Sequence, residues 1–319
     1  VFITRPLPQE ALDLIEGVCD AEVWASDLPP PQPDLLNRVR VMDGLLSLLT
    51  DPIDAAVIAA APGLRVISNC AVGVDNIDVR AATRRQIPVG NTPDVLTDAT
   101  ADMAFALLLA AARRIVEGVN YVKAGKWKTW NLQLLLGADL AGATLGIVGL
   151  GRIGKALARR AQGFGLKVVY CDPQTKPAFD AMPVDLGTLL RESDFVSLHV
   201  PLTPETHHMI DADSLSRMKS GAILINTARG PIVDHQALYE ALRSGRLGGA
   251  ALDVTEPEPL PADSPLLKLG NCIVLPHLGS ASRWTRARMA LLAAQNLVAG
   301  VQGERLPHCV NPEVYRADG

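Results

Sequence analysis

Short apolar runs, each closed by a glycine, a proline or a polar turn, alternate along the chain with stretches whose apolar side chains recur every three or four positions. The runs at residues 1–4, 22–25, 44–49, 64–70 and 87–91 predict one set of strands. Those at 144–148, 167–171, 195–200, 222–227, 250–254 and 271–275 predict a second set. Helical spacing occupies 9–18 (Leu12, Ile15, Val18), 186–191, 234–244 with Gly245 as its stop, and 282–300. Strands that alternate with helices imply parallel sheets wrapped by helices. Residues 97–119 read as one long, buried helix with Thr97 or Asp98 as its N-cap. The proline-dense 29–33 reads as an extended loop. Residues 121–137 carry Trp127 and Trp130. They read either as an arm that packs on a partner subunit or as an ordinary surface loop.

A chain of 319 residues has room for two domains. The strand pattern places a second domain, residues 95–285, inside a first made of 1–94 and 286–319. The apolar share of 48% is enough for two cores, and a net charge of −4 gives no basic face for nucleic acid or an anionic membrane. Aromatics at 4% are too few for a base-stacking surface. No apolar run is long enough for a membrane span, and no secretory signal is visible. The five cysteines (Cys19, Cys70, Cys171, Cys272 and Cys309) form no C-x-x-C pair. Cys70, Cys171 and Cys272 lie in apolar runs and read as buried free thiols, so a reducing cytoplasm is expected and no metal is. The chain opens on Val1, not Met, and a few residues ahead of it are expected.

Residues 143–172, ATLGIVGLGRIGKALARRAQGFGLKVVYCD, carry the strongest chemical signal. A strand runs into Gly149, Gly151 and Gly154. A helix follows with Ile153, Leu157 and Ala161 on one face, and a second strand ends at Asp172. Gly149 allows the tight turn, Gly151 lets a pyrophosphate approach the backbone, and Gly154 lets the helix pack close to the sheet. The helix N-terminus offers N–H groups and the positive end of its dipole to the phosphates. Asp172 is placed to accept hydrogen bonds from ribose hydroxyls. A 2′-phosphate would meet a like charge there, so NAD is favoured over NADP.

Arg229, Glu258 and His277 stand at or just beyond the ends of three successive predicted strands. In an open parallel sheet, ligands sit beyond the carboxyl ends of the strands, so the three can converge on the nicotinamide end of a cofactor. Arginine offers a fork for a carboxylate. Histidine exchanges a proton near neutral pH, and a glutamate beside it favours the imidazolium and fixes the ring.

At these residues the chain resembles the D-isomer-specific 2-hydroxyacid dehydrogenase family, over almost its whole length. The motifs are GLGRIG at 149–154, HVPLTPET at 199–206, NTARGPIVD at 226–234, LDVTEPEPLP at 252–261 and LPHLGSA at 275–281. Within the family it is most similar to glyoxylate/hydroxypyruvate reductases, on AVGVDNID at 71–78, the segment 91–109 and the Trp127/Trp130 arm. The resemblance implies an α/β protein of two doubly wound parallel-sheet domains, with a Rossmann cofactor domain inserted in a flavodoxin-like substrate domain. It implies reduction of a small 2-oxo acid to the D-2-hydroxy acid with NAD(P)H. Arg229 would hold the substrate carboxylate, His277 would be the general acid, and Glu258 would pair with it.

Val72 and Gly73 would give backbone N–H groups to the carboxylate, and Trp130 would reach a neighbouring subunit's site in a homodimer. Arg152 and Ile153 would lie on the pyrophosphate and Asp172 on the ribose. Thr100, Val200, Pro201, Thr206, Thr227 and Ala228 would line the cofactor, with Asp253 near the carboxamide and Gly279 and Ser280 beside it. Some relatives that prefer NADPH lack an acid at the Asp172 position, which makes NADP the weaker expectation. A phosphoglycerate dehydrogenase fits less well because no extra regulatory domain follows Pro312, and a formate dehydrogenase because Glu258 stands where that enzyme has glutamine. A phosphite dehydrogenase, another D-2-hydroxyacid dehydrogenase and a non-enzymatic NAD(H)-sensing corepressor keep the same trio and remain alternatives.

Overall fold

Among the described residues, neighbouring strands pair in parallel and fall into two sheets. A computed structural model describes residues 1–174 and 181–315. Residues Val1–Leu96 with Ala281–Gly319 form one unit, and Thr97–Ser280 form the other.

In the first unit the strands are β1 (Phe2–Ile3), β2 (Glu22–Val23), β3 (Gly44–Ser47), β4 (Val66–Asn69) and β5 (Val89–Gly90). Their spatial order is β2-β1-β3-β4-β5, the flavodoxin-like winding. Strands β3 and β4 are buried along their whole length, as continuous apolar runs in a covered parallel sheet should be. One face packs on helix Arg283–Gln302, where Leu297, Ala293 and Ala294 are fully buried against Ile3, Leu46 and Val66. The other face carries helices Gln32–Val39, Ala55–Ala60 and Val79–Arg84.

The second unit has β6 (Thr144–Val148), β7 (Lys167–Cys171), β8 (Ala181–Pro183), β9 (Phe195–Leu198), β10 (Ile223–Asn226), β11 (Gly249–Leu252) and β12 (Cys272–Val274). The order β12-β11-β10-β9-β6-β7-β8 reverses direction at β6, which makes the end of β6 the topological switch point where such sheets bind ligands. The register positions everything that follows. Val148 pairs with Leu198, Leu198 with Asn226, Asn226 with Leu252 and Leu252 with Val274. One step further, Gly149, His199, Thr227, Asp253 and Leu275 therefore stand along a single edge of the sheet.

Three expectations need correction. Residues 97–119 are not one helix. Helix Thr97–Ala112 ends, Arg114 turns left-handed at φ 53°, and a second helix, Ile115–Lys123, begins. Nothing local forces the break. The Ala112 carbonyl instead accepts the Ala138 N–H, a tertiary bond that competes with helix continuation. The first helix is buried, but the second has no buried residue. Thr97 and Asp98 also lie inside the first turn and not at its cap. Finally, the proline-rich 29–33 is only partly a loop. Helix Gln32–Val39 starts within it, with Pro33 in the first turn, where a missing N–H costs nothing.

Candidate active site

The glycine turn after β6 is built by close approach. Gly149 has φ +93°, and a Cβ there would lie 2.7 Å from the His199 carbonyl oxygen. A Cβ at Gly154 would lie 2.2 Å from the Gly149 oxygen, which brings helix Arg152–Gly163 tight against the turn. At Gly151 a Cβ would meet nothing within 4 Å, so the space over this turn is open. Arg152 is exposed, and Ile153 packs on the core.

Helices starting after Asp54, Asp78, Asp185, Asp211, Asp234 and Ser282 each have that side chain accepting a backbone N–H. Such a cap is worth about 1 kcal/mol. Helix Arg152–Gly163 begins on Gly151 with no side-chain cap. A helix start on glycine without a side-chain cap is the form an anion site at a helix N-terminus takes. Asp172 closes the same turn. One oxygen accepts the Leu150 N–H and the other the Gln174 N–H, each at 2.8 Å, and each keeps a lone pair for a hydroxyl.

Further along the edge, Thr227 is buried and its hydroxyl has no hydrogen-bond partner among the described residues. A buried orphan of this kind calls for an outside group. Thr100 is buried on helix Thr97–Ala112, within 3.5 Å of where a Gly279 Cβ would be. Val200 packs on the core, Pro201 is exposed, and the Thr206 hydroxyl donates to the Pro201 carbonyl at 2.7 Å, folding that loop back on itself. Ala228 and Ser280 are half-buried beside Thr227 and Gly279 in sequence. The open turn, the uncapped helix, the acid at the β7 end and the orphaned hydroxyl fit a dinucleotide.

The reactive trio also lies at this edge. His277 Nδ1 is 2.7 Å from Glu258 Oε1. Burial pushes the Glu258 carboxyl up, but the His277 hydrogen bond and charge, the Thr255 N–H and the Arg229 charge outweigh it and leave the group below its ordinary range. Arg229 lies one residue before Gly230, where a Cβ would sit 1.9 Å from the Thr255 oxygen. Only glycine permits that crossing of the two strand-end loops, which brings Arg229 toward Glu258. His199, on the same edge, is a different kind of histidine. Burial pushes it down to about 4, so at pH 7 it is the neutral imidazole.

Two supports of the trio were not evident in the sequence. His277 sits in the left-handed region at φ 55°, a costly conformation for a residue other than glycine. Asp253 holds it there. The Asp253 carbonyl accepts the His277 N–H at 2.9 Å, and its carboxylate oxygens take the Leu278 and Gly279 N–H groups at 2.6 and 2.7 Å. Asp253 thus clamps the turn that presents the imidazole. Burial pushes its carboxyl up despite those two donors. Asn226 does the same for Arg229. It donates to the Arg229 carbonyl and accepts the Ala228 N–H. Glycine and histidine motifs point to the ends of the strands, but the clamps emerge only when the loops are folded.

The remaining expected residues lie elsewhere. Val72 and Gly73 belong to the first unit, in a loop held by its carbonyls: Asn91 donates to Val72 and Asn69 to Gly73. Asn69 is itself locked by Ser47 and Asn76. Trp130 is 78% exposed. A cavity of about 660 Å³ in the second unit is lined by Ala112, Arg114, Gly221, Gly249 and Asn271. It opens at the amino ends of the strands, opposite to the chemistry.

Comparison with known proteins agrees with this arrangement. The model of the D-isomer specific 2-hydroxyacid dehydrogenase NAD binding domain matches residues 105–279. A glyoxylate reductase of Korarchaeum cryptofilum is 54% identical over 99% of this chain and 97% of its own. The crystal structure of the TT0316 protein from Thermus thermophilus superposes with a TM-score of 0.92 at 52% identity, covering 97% of this chain and 99% of that one. An NADPH-dependent glyoxylate/hydroxypyruvate reductase from Sinorhizobium meliloti, solved with NADP and malonate, gives a TM-score of 0.88 at 30% identity over all of this chain and 98% of its own. With the edge geometry and these full-length likenesses in accord, the chain belongs to the D-isomer-specific 2-hydroxyacid dehydrogenase family.

Proposed function

We propose that the protein reduces glyoxylate and hydroxypyruvate to their 2-hydroxy acids, with NADH as the preferred reductant. The observation that carries this reading is the His277–Glu258 pair, set with Arg229 at one sheet edge beside the open glycine turn. The bound nicotinamide would supply the hydride. Arg229 grips the substrate carboxylate and polarises its carbonyl. Glu258 accepts the His277 Nδ1–H, which fixes the tautomer and turns Nε2 toward the substrate. The acid is the doubly protonated ring, whose charge Glu258 stabilises: its Nε2–H passes to the carbonyl oxygen and leaves the neutral imidazole with its Nδ1–H still on Glu258. In the first unit, Val72 and Gly73, with their carbonyls tied back, are the N–H groups proposed for a carboxylate. The residues that would hold the cofactor are those of the turn Gly149–Gly154 with Thr100, Val200, Pro201, Thr206, Thr227, Ala228, Asp253, Gly279 and Ser280. Asp172, aligned by two backbone donors, favours the unphosphorylated ribose of NADH.

The working form we infer is a cytoplasmic homodimer. Helix Ile115–Lys123 exposes Ile115, Val116, Val119 and Val122, and Trp127, Trp130, Leu132 and Leu136 follow it in sequence, a density of exposed apolar side chains that supports an interface here. Five free thiols suit a reducing compartment, and among the described residues no helix is long and apolar enough to cross a membrane. A single experiment tests the chemistry: oxidation of NADH and NADPH followed with glyoxylate, hydroxypyruvate and pyruvate side by side. NADH with glyoxylate or hydroxypyruvate should give the highest kcat/KM. Turnover of none of the three acids would overturn the reading.

A further inference from the structure

We propose that His207, His208 and Glu256 form a binding site for a transition-metal dication of the Zn²⁺ type. His208 Nε2 lies 2.7 Å from one Glu256 oxygen, and His207 Nε2 lies 3.9 Å from the other. The three ligating atoms all fall within 4.8 Å of one another. Around tetrahedral zinc, with ligands at about 2.0–2.1 Å, donor atoms stand about 3.3 Å apart. The two observed separations, to the two Glu256 oxygens, lie about 0.6 Å to either side of that value, so rotation of the side chains would have to draw the three atoms together around an ion. Two imidazoles and a carboxylate are a zinc donor set that leaves a fourth position for water.

The backbone prepares this arrangement. Side chains of consecutive residues ordinarily diverge, yet the two rings stack with centroids 4.1 Å apart and planes 30° apart. His208 achieves this by adopting φ +50°, a conformation that non-glycine residues rarely take. Its N–H is fixed to the Pro231 carbonyl at 2.8 Å. On the other side, the Glu256 N–H meets His235 Nδ1 at 3.4 Å, so a third imidazole steadies the carboxylate-bearing residue from behind. The side chain of His207 is half exposed, which gives an ion a way in.

The site has a bearing on the trio. Glu256 shares its loop with Glu258, and the Thr255 N–H between β11 and Glu256 reaches Glu258 Oε2 at 3.3 Å. A cation held by His207, His208 and Glu256 would pin the loop carrying Thr206 to the loop carrying Glu258.

The test is titration of the full-length, metal-free protein with CoCl₂, read by visible absorption, with ZnCl₂ as competitor. Melting temperature is followed in parallel, since an ion that binds only the folded chain must raise it. The expected result is one ion per chain, a cobalt spectrum without a thiolate charge-transfer band, and a higher melting temperature. His207→Ala and Glu256→Gln should each weaken binding at least tenfold. Binding is independent of turnover, so the result stands whether or not the reductase reading does. His207→Ala changes an exposed side chain, and its melting temperature without metal should match the parent, which guards against simple misfolding. Absence of stoichiometric binding would overturn the proposal. So would binding that survives both substitutions, or a thiolate band that places the ion on a cysteine.

Discussion

The two units wind their sheets by the same rule and fill the first turn in opposite ways. After β1 the chain continues into Thr4 and Arg5, and both turn onto Asp51. The Thr4 hydroxyl and the Leu48 N–H donate to one carboxylate oxygen, and the Arg5 guanidinium lies 3.1 Å from the other, with Thr4, Arg5 and Asp51 buried. The space beyond the β1 end is taken up by protein. After β6 the equivalent place holds Gly149 and Gly151, with nothing over Gly151 and no side chain on the helix start. A doubly wound sheet therefore supplies a position for a ligand, and the residues of the turn decide whether the position is offered or plugged.

That contrast can be broken from either side. The largest effect should come from His277→Asn, which removes the proposed acid. Turnover should fall by roughly 10² to 10⁴ in steady-state assays, with the melting temperature nearly unchanged. Asp51→Asn should do the reverse. It leaves Arg5 buried beside a neutral group, and urea unfolding should report a loss of about 3–5 kcal/mol, while kcat per folded molecule holds. Gly151→Ala sharpens the comparison. A methyl there touches no protein atom, so stability should stay within about 0.5 kcal/mol. NADH affinity, read by fluorescence titration, should nevertheless drop at least tenfold, because the methyl occupies the pyrophosphate's approach. Equal affinity would mean that the open space serves no dinucleotide.

The smallest effect concerns pH. Glu258 titrates below its ordinary 4.5 in the folded chain. Its contribution to stability is therefore fully present above pH 4.5 and is lost as pH falls through the lowered folded value. Acid unfolding of the parent and of Glu258→Gln should converge at low pH and separate toward neutrality. Since Glu258 is one-third exposed, solvent screening keeps the gap small.

Much of this was readable in the residues because the signals were local. The β6 and β7 strands run 144–148 and 167–171 as the apolar pattern indicates, and Gly245 stops helix His235–Arg243 with a left-handed turn as expected. Glycine spacing led to the open turn, and strand ends led to Arg229, Glu258 and His277. What the pattern hid was set by distant partners. The break at Arg114 depends on Ala138, and the proline-rich start of helix Gln32–Val39 resembles a loop until the first-turn tolerance for proline is considered. Helices Ala55–Ala60 and Val79–Arg84 are too short to show a period. Asn226 looks like an ordinary strand-end polar residue, and Asp253, expected near the carboxamide, shows its hold on the His277 turn only when the loops fold. His207, His208 and Glu256 come from two separate loops and share no motif.

The helix Ile115–Lys123 has a practical consequence. Ile115, Val116, Val119 and Val122 lie 41–54% open to solvent on an element with no buried residue of its own. Any preparation in which this stripe is uncovered will behave as a mild surfactant. It will cling to plastic, light up hydrophobic dyes and salt out early. Replacing Val119 and Val122 with lysine should abolish that stickiness, at the expense of whatever normally keeps the stripe dry.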